Sequence, residues 1–248
     1  MEAEIVFSPP LAPGILIKRY KRFLADVRLP SGKVVTAHCP NTGSMKSCCE
    51  PGRPVALSYH PDPGRRYPYT WEMIRMDAGW VGVNTAIPNG LAALAAKYGL
   101  IPEFISYTTV QREVRYGVNS RIDLLLEGPP GRMWVEIKNV SLLDGKTLCF
   151  PDAVTQRGKK HLDELIRMAA QGDRATLLFV VQRPDGHVFR PADSIDPDYA
   201  SALRRAAQAG VDVLAYRAEV SPQRVRWGGP VPLDLGKNKG EDKQCSKK

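Results

Sequence analysis

The stretch SRIDLLLEGPPGRMWVEIKNV, Ser120–Val140, predicts two strands joined by a tight loop. Both strands carry charge where a buried strand is normally apolar. Asp123 directly precedes three leucines, and Glu136 and Lys138 interrupt the second hydrophobic run. Ionised side chains in such surroundings are costly unless they are paired or bind a metal. The stretch therefore indicates a buried polar site built around an Asp, a Glu and a Lys.

The alternation of side chains across a strand places these residues on one side of a sheet. Glu136 and Lys138 share a face of their strand, and Asp123 lies on the polar face of the strand before it. An earlier predicted strand, TTVQREVRYG, places Glu113 on its own polar face. Packing all three apolar faces against one helix layer brings the four side chains together. The position of Glu113 depends most on the register that is assumed between the strands.

Carboxylates gathered beside a lysine suit the chemistry of phosphodiester cleavage. Two or three of them bind Mg²⁺ or Mn²⁺, which prefer oxygen ligands. Such an ion polarises a phosphoryl oxygen and lowers the pKa of a water, while a lysine orients that water or offsets charge on the phosphate. The pattern D-x12-E-x-K thus predicts catalytic Asp123, Glu136 and Lys138, with Asp123, Glu136 and Glu113 as metal ligands. The alternative is an internal ion pair of Lys138 with a carboxylate and no ligand.

The residues around this stretch predict a mixed α/β domain over residues 86–236. The expected order is helix, three strands, helix, strand, helix, strand, with RATLLFVVQ as a central strand and VDVLAYRAEV as the last one. FPDAVTQRGKKHLDELIRMAAQGD reads as an amphipathic helix with Asp152 as its N-cap and His161 as a packing residue. DPDYASALRRAAQAG reads as a helix capped by Asp196 and stopped by Gly210.

The first 85 residues predict an all-β domain. Five short strand-like segments follow one another at the spacing of a small barrel: RYKRFLADVRL, KVVTAHC, RPVALSYH, YTWEMIRMD and WVGVNT. An OB-like barrel is the favoured architecture for residues 1–85. The polar segment 237–248 cannot bury apolar surface and is predicted to be a disordered tail.

The composition is that of a globular chain of 248 residues, 43% hydrophobic and 25% charged. No apolar run approaches the length of about 18 residues that suggests a membrane span, and the acidic first residues do not resemble a signal peptide. Five irregularly spaced cysteines do not suggest a disulfide framework. A zinc site at His38, Cys39, Cys48 and Cys49 lacks the usual spacing. A cytoplasmic protein without membrane contact is expected.

A net charge of +9 favours a polyanionic partner such as DNA, although an ordinary basic protein carries a similar charge. IKRYKRF interleaves cations with aromatics, HCPNTGSMKS forms a polar loop, and QRGKK opens the helix after the E-x-K strand. A solvated strand, a shaping turn and a solvated helix face are the respective alternatives. The oligomeric state stays open, with a homodimer as one option. The predicted nucleic-acid contacts are Lys18, Arg19, Tyr20, Lys21, Arg22, Asn41, Thr42, Ser44, Arg121, Gln156, Arg157 and Lys160.

The D-x12-E-x-K element followed by QRGKKH resembles the PD-(D/E)xK nuclease superfamily, with Ile122 where the proline of the motif would stand. Further segments, among them FSPPL, HCPNTGSM, YPYTWEM, EVRYGVNSRID, VEIKNVSL, FPDAVTQRGKKHL and AYRAEVS, resemble the sugar fermentation stimulation protein A family. These segments extend from Phe7 to about Ser221 and so span nearly the whole chain.

This resemblance implies an OB-like barrel followed by a restriction-endonuclease-like mixed-sheet domain. It also implies DNA binding that is largely sequence-nonspecific, with a link to the regulation of sugar (maltose) metabolism. The superfamily motif carries over to Asp123, Glu136 and Lys138. Two functions follow as candidates: a Mg²⁺-dependent deoxyribonuclease, or a non-enzymatic DNA-binding transcriptional co-regulator. A sugar-sensing module has little support, because no cluster of aromatics and carboxylates suited to a pyranose is evident.

Overall fold

The N-terminal part of the chain is a closed barrel. The structure is a computed structural model and describes residues 2–116 and 120–236. Strands β2 to β6 pair in the order β4-β3-β2-β5-β6, and a parallel pairing of β4 with β6 closes the ring. The first seven strands are β1 (Glu4–Val6), β2 (Ala12–Tyr20), β3 (Leu24–Arg28), β4 (Val34–His38), β5 (Pro54–Tyr59), β6 (Tyr69–Met76) and β7 (Gly79–Gly82).

The barrel forms because its strands alternate inward apolar residues with outward polar ones. Leu16, Val27, Leu57 and Trp71 are fully buried inside it, and the indole of Trp71 donates to the carbonyl of Met73 at 2.9 Å. The expected OB-like barrel is therefore confirmed.

One strand assignment within the barrel is wrong. RYKRFLADVRL is not a single strand, because the chain reverses at residues 21–23 between β2 and β3, where Tyr20 pairs with Leu24. Lys21 and Arg22 adopt left-handed backbone conformations, with φ of 49° and 63°. Such a conformation is uncommon for residues other than glycine and asparagine. Because residues 21–23 contain neither, the sequence gives no signal for this turn.

The second domain is a mixed α/β layer structure. Its large sheet has the strand order β1-β16-β15-β13-β10-β9-β8, with α1 on one face and α2 and α3 on the other, and a small sheet β11-β12-β14 lies beside it. Its elements are α1 (Ile87–Lys97), a 3₁₀ turn (Pro102–Phe104), β8 (Thr109–Tyr116), β9 (Ser120–Gly128), β10 (Gly131–Val140), β11 (Leu142–Asp144), β12 (Thr147–Phe150), α2 (Gln156–Ala170), β13 (Arg174–Val181), β14 (Val188–Pro191), α3 (Pro197–Gln208), β15 (Asp212–Val220) and β16 (Arg224–Pro230).

The expected helices and strands occur in the expected order, but three short strands that were not predicted, β11, β12 and β14, lie among them and form the small sheet. Three further expectations differ from the structure. β15 is not the last strand, because β16 follows it and pairs with β1. Glu4–Val6 thus lies in the larger sheet, although residues 1–85 were assigned to the barrel domain. The N-cap of α2 is Thr155, whose hydroxyl accepts from the Gly158 N–H at 3.0 Å, and not Asp152. Segment 237–248 lies outside the described residues.

The barrel sits on the ends of β10 and β13 through buried hydrogen bonds. The Ser47 hydroxyl donates to the Ser141 carbonyl at 3.1 Å and accepts from Arg183 Nη1 at 3.0 Å. Asp152 Oδ2 accepts from the Met45 N–H at 3.0 Å. These bonds fix the barrel loop after β4 beside the strand that carries Glu136 and Lys138. Within the described ranges, no helix is long and apolar enough to cross a membrane.

Candidate active site

The predicted acidic residues meet where two strands separate. The antiparallel pairing of β9 with β10 runs from Gly131 opposite Gly128 to Val135 opposite Leu124 and ends there. The next positions in register are Asp123 and Glu136. The Ile137 N–H donates to Asp123 Oδ2 at 2.7 Å, so a side chain takes the place of a strand carbonyl. The opening of the ladder thus places two carboxylates side by side.

Asp123 is held by two donors and is hard to ionise. Besides the Ile137 N–H, the amide of Asn89 on α1 donates to its Oδ1 at 2.7 Å. Burial, and after it the charge of Glu136, raise the pKa of Asp123 to about 6 against the opposing effects of the Ile137 N–H and Lys138. Sequence reasoning missed Asn89. The signal was a polar side chain in the first turn of an otherwise apolar helix.

Glu136 is only 3% exposed, and its two oxygens have different surroundings. Oε1 accepts from Lys138 Nζ at 2.5 Å and also contacts His161 Nδ1. Oε2 is buried and has no hydrogen-bond partner among the described residues. Burial raises the pKa of Glu136, but the hydrogen bond from His161 and the charge of Lys138 outweigh it and hold this pKa below its ordinary value.

His161 belongs to this cluster, although the sequence suggested a packing residue. It faces the site from α2, and its Nε2 accepts from Arg157 Nε one turn earlier at 3.3 Å. The amphipathic pattern placed His161 at the edge of the apolar stripe. In the structure, that edge of α2 faces Glu136 and Lys138 on β10. The i, i+4 spacing of Arg157 and His161 was the available signal.

Glu113 lies at the margin of the cluster. Pairings on either side, Arg112 with Leu124 and Val114 with Ile122, place it opposite Asp123. Its φ is 55°, a strained conformation for a non-glycine residue in a strand, and its Oε2 is 3.6 Å from Arg121 Nη1. Its charge contributes to the raised pKa of Asp123. Its role as a third ligand, like the contact predicted for Arg121, stays a prediction.

The cluster fits a divalent cation that keeps part of its water shell. In residues 2–116 and 120–236, no three His, Cys, Asp or Glu side chains converge as a ready-made metal cage. Two adjacent carboxylates are present, however, and one buried oxygen of Glu136 lacks a partner in the part of the chain that the structure describes. Mg²⁺ and Mn²⁺ are typically held by one or two carboxylates together with water and substrate phosphate. The residues therefore suit these ions better than an all-protein site.

A polar cleft of about 270 Å³ opens between the two domains, just beyond the end of β10. The barrel contributes Asn41, Thr42 and the hairpin residue Arg22, while the second domain contributes Asn139 and Thr155 among others. Asn139 directly follows Lys138, and Thr155 caps the helix that carries His161. The cleft and the carboxylate cluster therefore share the same strand and helix.

The basic hairpin divides into engaged and exposed side chains. The Arg19 guanidinium donates hydrogen bonds to four backbone carbonyls of the barrel, those of Arg22 (2.8 Å), Asn41 (2.8 Å), Gly43 (2.9 Å) and Ser44 (3.3 Å). Its donors are thus committed to shaping the loop.

The neighbours of Arg19 differ from it. Lys18 is exposed, 3.8 Å from Asp26 and 5.4 Å above the ring of Tyr20, whose hydroxyl donates to Asp26 at 3.0 Å. Lys21 and Arg22 project from the turn. These three cations stay available to a phosphate backbone.

The remaining predicted contacts surround the cleft. Asn41 is buried and accepts from the Gly43 N–H at 2.8 Å, Thr42 is exposed, and the Ser44 hydroxyl is buried with no partner among the described residues. On α2, Gln156 is exposed and Lys160 lies 3.7 Å from Glu164. Asn41 and Thr42 line the cleft, and the contact of all five residues with nucleic acid stays a prediction.

Comparison with known proteins identifies the chain over almost its full length. Residues 17–83 match the SfsA N-terminal OB domain, and residues 86–224 match the sugar fermentation stimulation protein RE domain. The chain is 54% identical over 232 residues to a sugar fermentation stimulation protein homolog from Geobacter sulfurreducens, covering 94% of this chain and 100% of the relative. A homolog from Pelobacter propionicus is 53% identical over 227 residues, covering 92% of this chain and 99% of the relative.

A solved structure has the same fold. It is that of Pyrococcus furiosus SfsA in complex with Ca²⁺, with a TM-score of 0.85 and 28% identity, covering 94% of this chain and 99% of the other. Both parts of the chain, the barrel and the larger sheet, are thus accounted for by one group of proteins. The chain belongs to the sugar fermentation stimulation protein (SfsA) family.

Proposed function

We propose that this protein is a DNA-binding deoxyribonuclease that depends on Mg²⁺ or Mn²⁺ and has little sequence specificity. One observation carries the proposal: in the buried pair Asp123 and Glu136, one oxygen of Glu136 has no partner within residues 2–116 and 120–236, and Lys138 lies beside the other oxygen. Buried carboxylates left partly unsatisfied are expected where a cation completes the site. The P. furiosus relative is in complex with Ca²⁺, which supports divalent-ion binding in this fold.

Each side chain has a distinct part in the proposed mechanism. Asp123 and Glu136 would hold the ion, which would supply Lewis-acid activation of the phosphate and of water. Asn89 and the Ile137 N–H fix the orientation of Asp123. The Lys138 ammonium stands beside Glu136, where it orients the attacking water or offsets the negative charge that develops on the scissile phosphate.

The interdomain cleft supports nucleic acid as the substrate. Its barrel side offers a polar loop and the hairpin tip, where Lys21 and Arg22 stand next to Phe23, an aromatic side chain that is 49% exposed. Cations next to an exposed ring suit phosphate contact and base stacking, which do not depend strongly on sequence. A strand lying in this cleft would reach the carboxylate cluster along β10.

The test is metal titration combined with cleavage. Mg²⁺, Mn²⁺ and Ca²⁺ are titrated calorimetrically into the wild type, Asp123→Ala and Lys138→Ala, and the same samples are incubated with labelled single-stranded, duplex and branched DNA. We expect Asp123→Ala to lose metal binding. Lys138→Ala should keep metal binding but lose cleavage by about 100- to 1000-fold. Both variants should retain DNA, because neither residue is placed in the basic hairpin.

A matched control is Asp144→Ala, which removes an exposed carboxylate at the end of β11. It should change neither metal binding nor cleavage. Absence of metal uptake and of cleavage by the wild type on every DNA would refute the proposal.

The second candidate is a non-enzymatic DNA-binding co-regulator of sugar metabolism. It is favoured by the short ion pair of Lys138 with Glu136, which neutralises that carboxylate without a metal. In this case DNA binding would be salt-sensitive and independent of Mg²⁺. Lys138→Ala would then leave it unchanged, whereas charge reversal at Lys18 and Lys21 would abolish it.

A further inference from the structure

His161 makes three polar contacts around the carboxylate cluster. Its Nδ1 touches Glu136 Oε1 and lies 3.2 Å from Lys138 Nζ, and its Nε2 is 3.3 Å from Arg157 Nε. The ring is largely buried, with 12% of its side chain exposed. It reaches the site from α2, whereas Glu136 and Lys138 lie on β10.

These contacts define which ring nitrogen carries hydrogen. An arginine guanidinium only donates, so Nε2 must be the acceptor and is unprotonated. The hydrogen of the neutral ring therefore resides on Nδ1, which donates to Glu136 Oε1. Lys138 Nζ is also a donor, so its proximity to Nδ1 means that two donors converge on the same oxygen.

The convergence divides the Glu136 carboxylate into a saturated and a bare oxygen. Oε1 receives Lys138 and His161, and Oε2 receives no partner among the described residues. With Oε1 held from a strand and from a helix at once, the carboxylate cannot rotate freely. The bare oxygen is thereby kept in one direction.

We propose that His161 is a positioning residue for the cation: it holds Oε1 so that Oε2 of Glu136 is presented to the metal, while Arg157 fixes the ring tautomer. This inference rests on the proposed metal-dependent function. Groups that orient a ligating carboxylate generally influence metal affinity nearly as strongly as the ligands do. His161 thus acts through Glu136 rather than on the substrate.

The test compares His161→Ala with His161→Asn by calorimetric titration of Mn²⁺ and Ca²⁺ without DNA. Asn is the matched variant, since its side-chain N–H occupies about the position of the Nδ1–H. We expect His161→Ala to weaken metal binding about 10- to 100-fold and His161→Asn to stay within about 3-fold of the wild type. Asp163→Ala, an exposed carboxylate two residues further along α2, should have no effect.

A second measurement reads the ring directly. Nitrogen-15 NMR of the metal-free wild type should show the Nδ1–H tautomer of His161, and Arg157→Ala should convert it to a mixture of tautomers. A thermal melt of each variant confirms that it is folded, and the exposed Arg157→Ala provides the readout if His161→Ala does not fold.

The outcomes separate the two proposals. If the wild type takes up no cation, the proposed function fails and this inference fails with it. If the wild type binds metal and His161→Ala binds it equally well, only the inference fails. It also fails if His161→Asn loses as much affinity as His161→Ala, since the ring and not its N–H would then matter, or if NMR finds the Nε2–H tautomer.

Discussion

The cluster around Arg183 and the cluster around Glu136 both take ionised side chains out of water, but they differ in how completely their polar atoms are paired. Arg183 is 2% exposed. Its Nε and Nη2 donate to Asp185 at 2.5 and 2.9 Å, and its Nη1 donates to the Ser141 carbonyl at 2.5 Å and the Ser47 hydroxyl at 3.0 Å. Every nitrogen of this guanidinium has an acceptor, and these acceptors come from both domains.

The Glu136 cluster is unfinished by comparison. One carboxylate oxygen has no partner among the described residues, and a second carboxyl, Asp123, lies beside it with its pKa raised to about 6 by burial and by the charge of Glu136. Buried charge that is fully paired within the chain serves to hold the domains together. Buried charge that is left in excess instead marks a place where an external cation would lower the energy.

The largest expected effect on stability comes from removing Arg183, the centre of the fully paired cluster. Arg183→Met removes both guanidinium hydrogen bonds to Asp185 and one donor each from the Ser141 carbonyl and the Ser47 hydroxyl, which should lower the free energy of unfolding by about 3–5 kcal/mol. Urea denaturation followed by tryptophan fluorescence measures it. Arg190→Met is the matched control, because Arg190 is 55% exposed and pairs with the accessible Asp234, so its loss should have little effect on stability. Equal losses for both variants would overturn the comparison.

In the Glu136 cluster, removing the charge of Asp123 should instead increase the stability of the protein. The pKa of Asp123 is raised in the fold from 3.8 to about 6, so its stabilising protonated form is fully present below pH 3.8 and is lost as the pH rises through 6. In metal-free protein at pH 8, ionised Asp123 therefore costs about 3 kcal/mol. Asp123→Asn should be more stable than the wild type by up to about that amount at pH 8, with the gain vanishing towards pH 4.

Thermal or urea unfolding at several pH values checks this, with the exposed Asp144→Asn as control. Added Ca²⁺ should restore the stability of the wild type at pH 8 but not that of Asp123→Asn, since only the former offers two carboxylates. A variant that is less stable than the metal-free wild type at every pH would show that Asp123 is a satisfied structural group, like Asp185.

Local hydrophobic patterns predicted the central strand β13, which is apolar on both faces, and the helix from Pro197 with its Asp196 cap. The expected packing of the site strands against one helix layer is wrong, because Ile122 packs with α2 and α3 whereas Leu124 and Leu126 pack with α1. The site was predictable to the same extent, because Asp123, Glu136 and Lys138 break those patterns. Local sequence patterns were sufficient to predict an element wherever its structure depends mainly on residues that are close in the chain.

Features that depend on distant partners were not predictable. The turn at Lys21 and Arg22 exists because barrel closure forces left-handed backbone on residues that do not favour it. The pairing of β1 with β16 joins the two ends of the chain. Asn89 and His161 enter the site only through the packing of α1 and α2 on the sheet. The polar side chain of Asn89 and the i, i+4 spacing of Arg157 and His161 were the local signals, but neither signal by itself points to the site.

The smallest expected effects concern the basic hairpin, where the same contrast recurs on the surface. The Arg19 guanidinium donates to four barrel carbonyls, whereas the exposed Lys18 ammonium lies 3.8 Å from the partly buried carboxylate of Asp26. Arg19→Gln should therefore lower the free energy of unfolding by about 2 kcal/mol. Lys18→Gln should leave stability within about 0.5 kcal/mol, but should weaken DNA binding a few-fold and reduce the salt dependence of binding by about one ion.

Fluorescence anisotropy with labelled DNA over a range of salt concentrations, together with urea unfolding, separates these two roles. If Lys18→Gln leaves the salt dependence unchanged while Arg19→Gln reduces it in a protein of undiminished stability, then the hydrogen bonds of Arg19 open to release it to the phosphate backbone. The hairpin would then resemble the Glu136 cluster, with pairs that yield to a ligand. If instead Lys18→Gln reduces the salt dependence and Arg19→Gln lowers only the stability, then Arg19 has a structural role and Lys18 contacts the DNA. The hairpin would then show the same division as the buried clusters, where the fully paired Arg183 stabilises the fold and the incompletely paired Glu136 is left to bind a ligand.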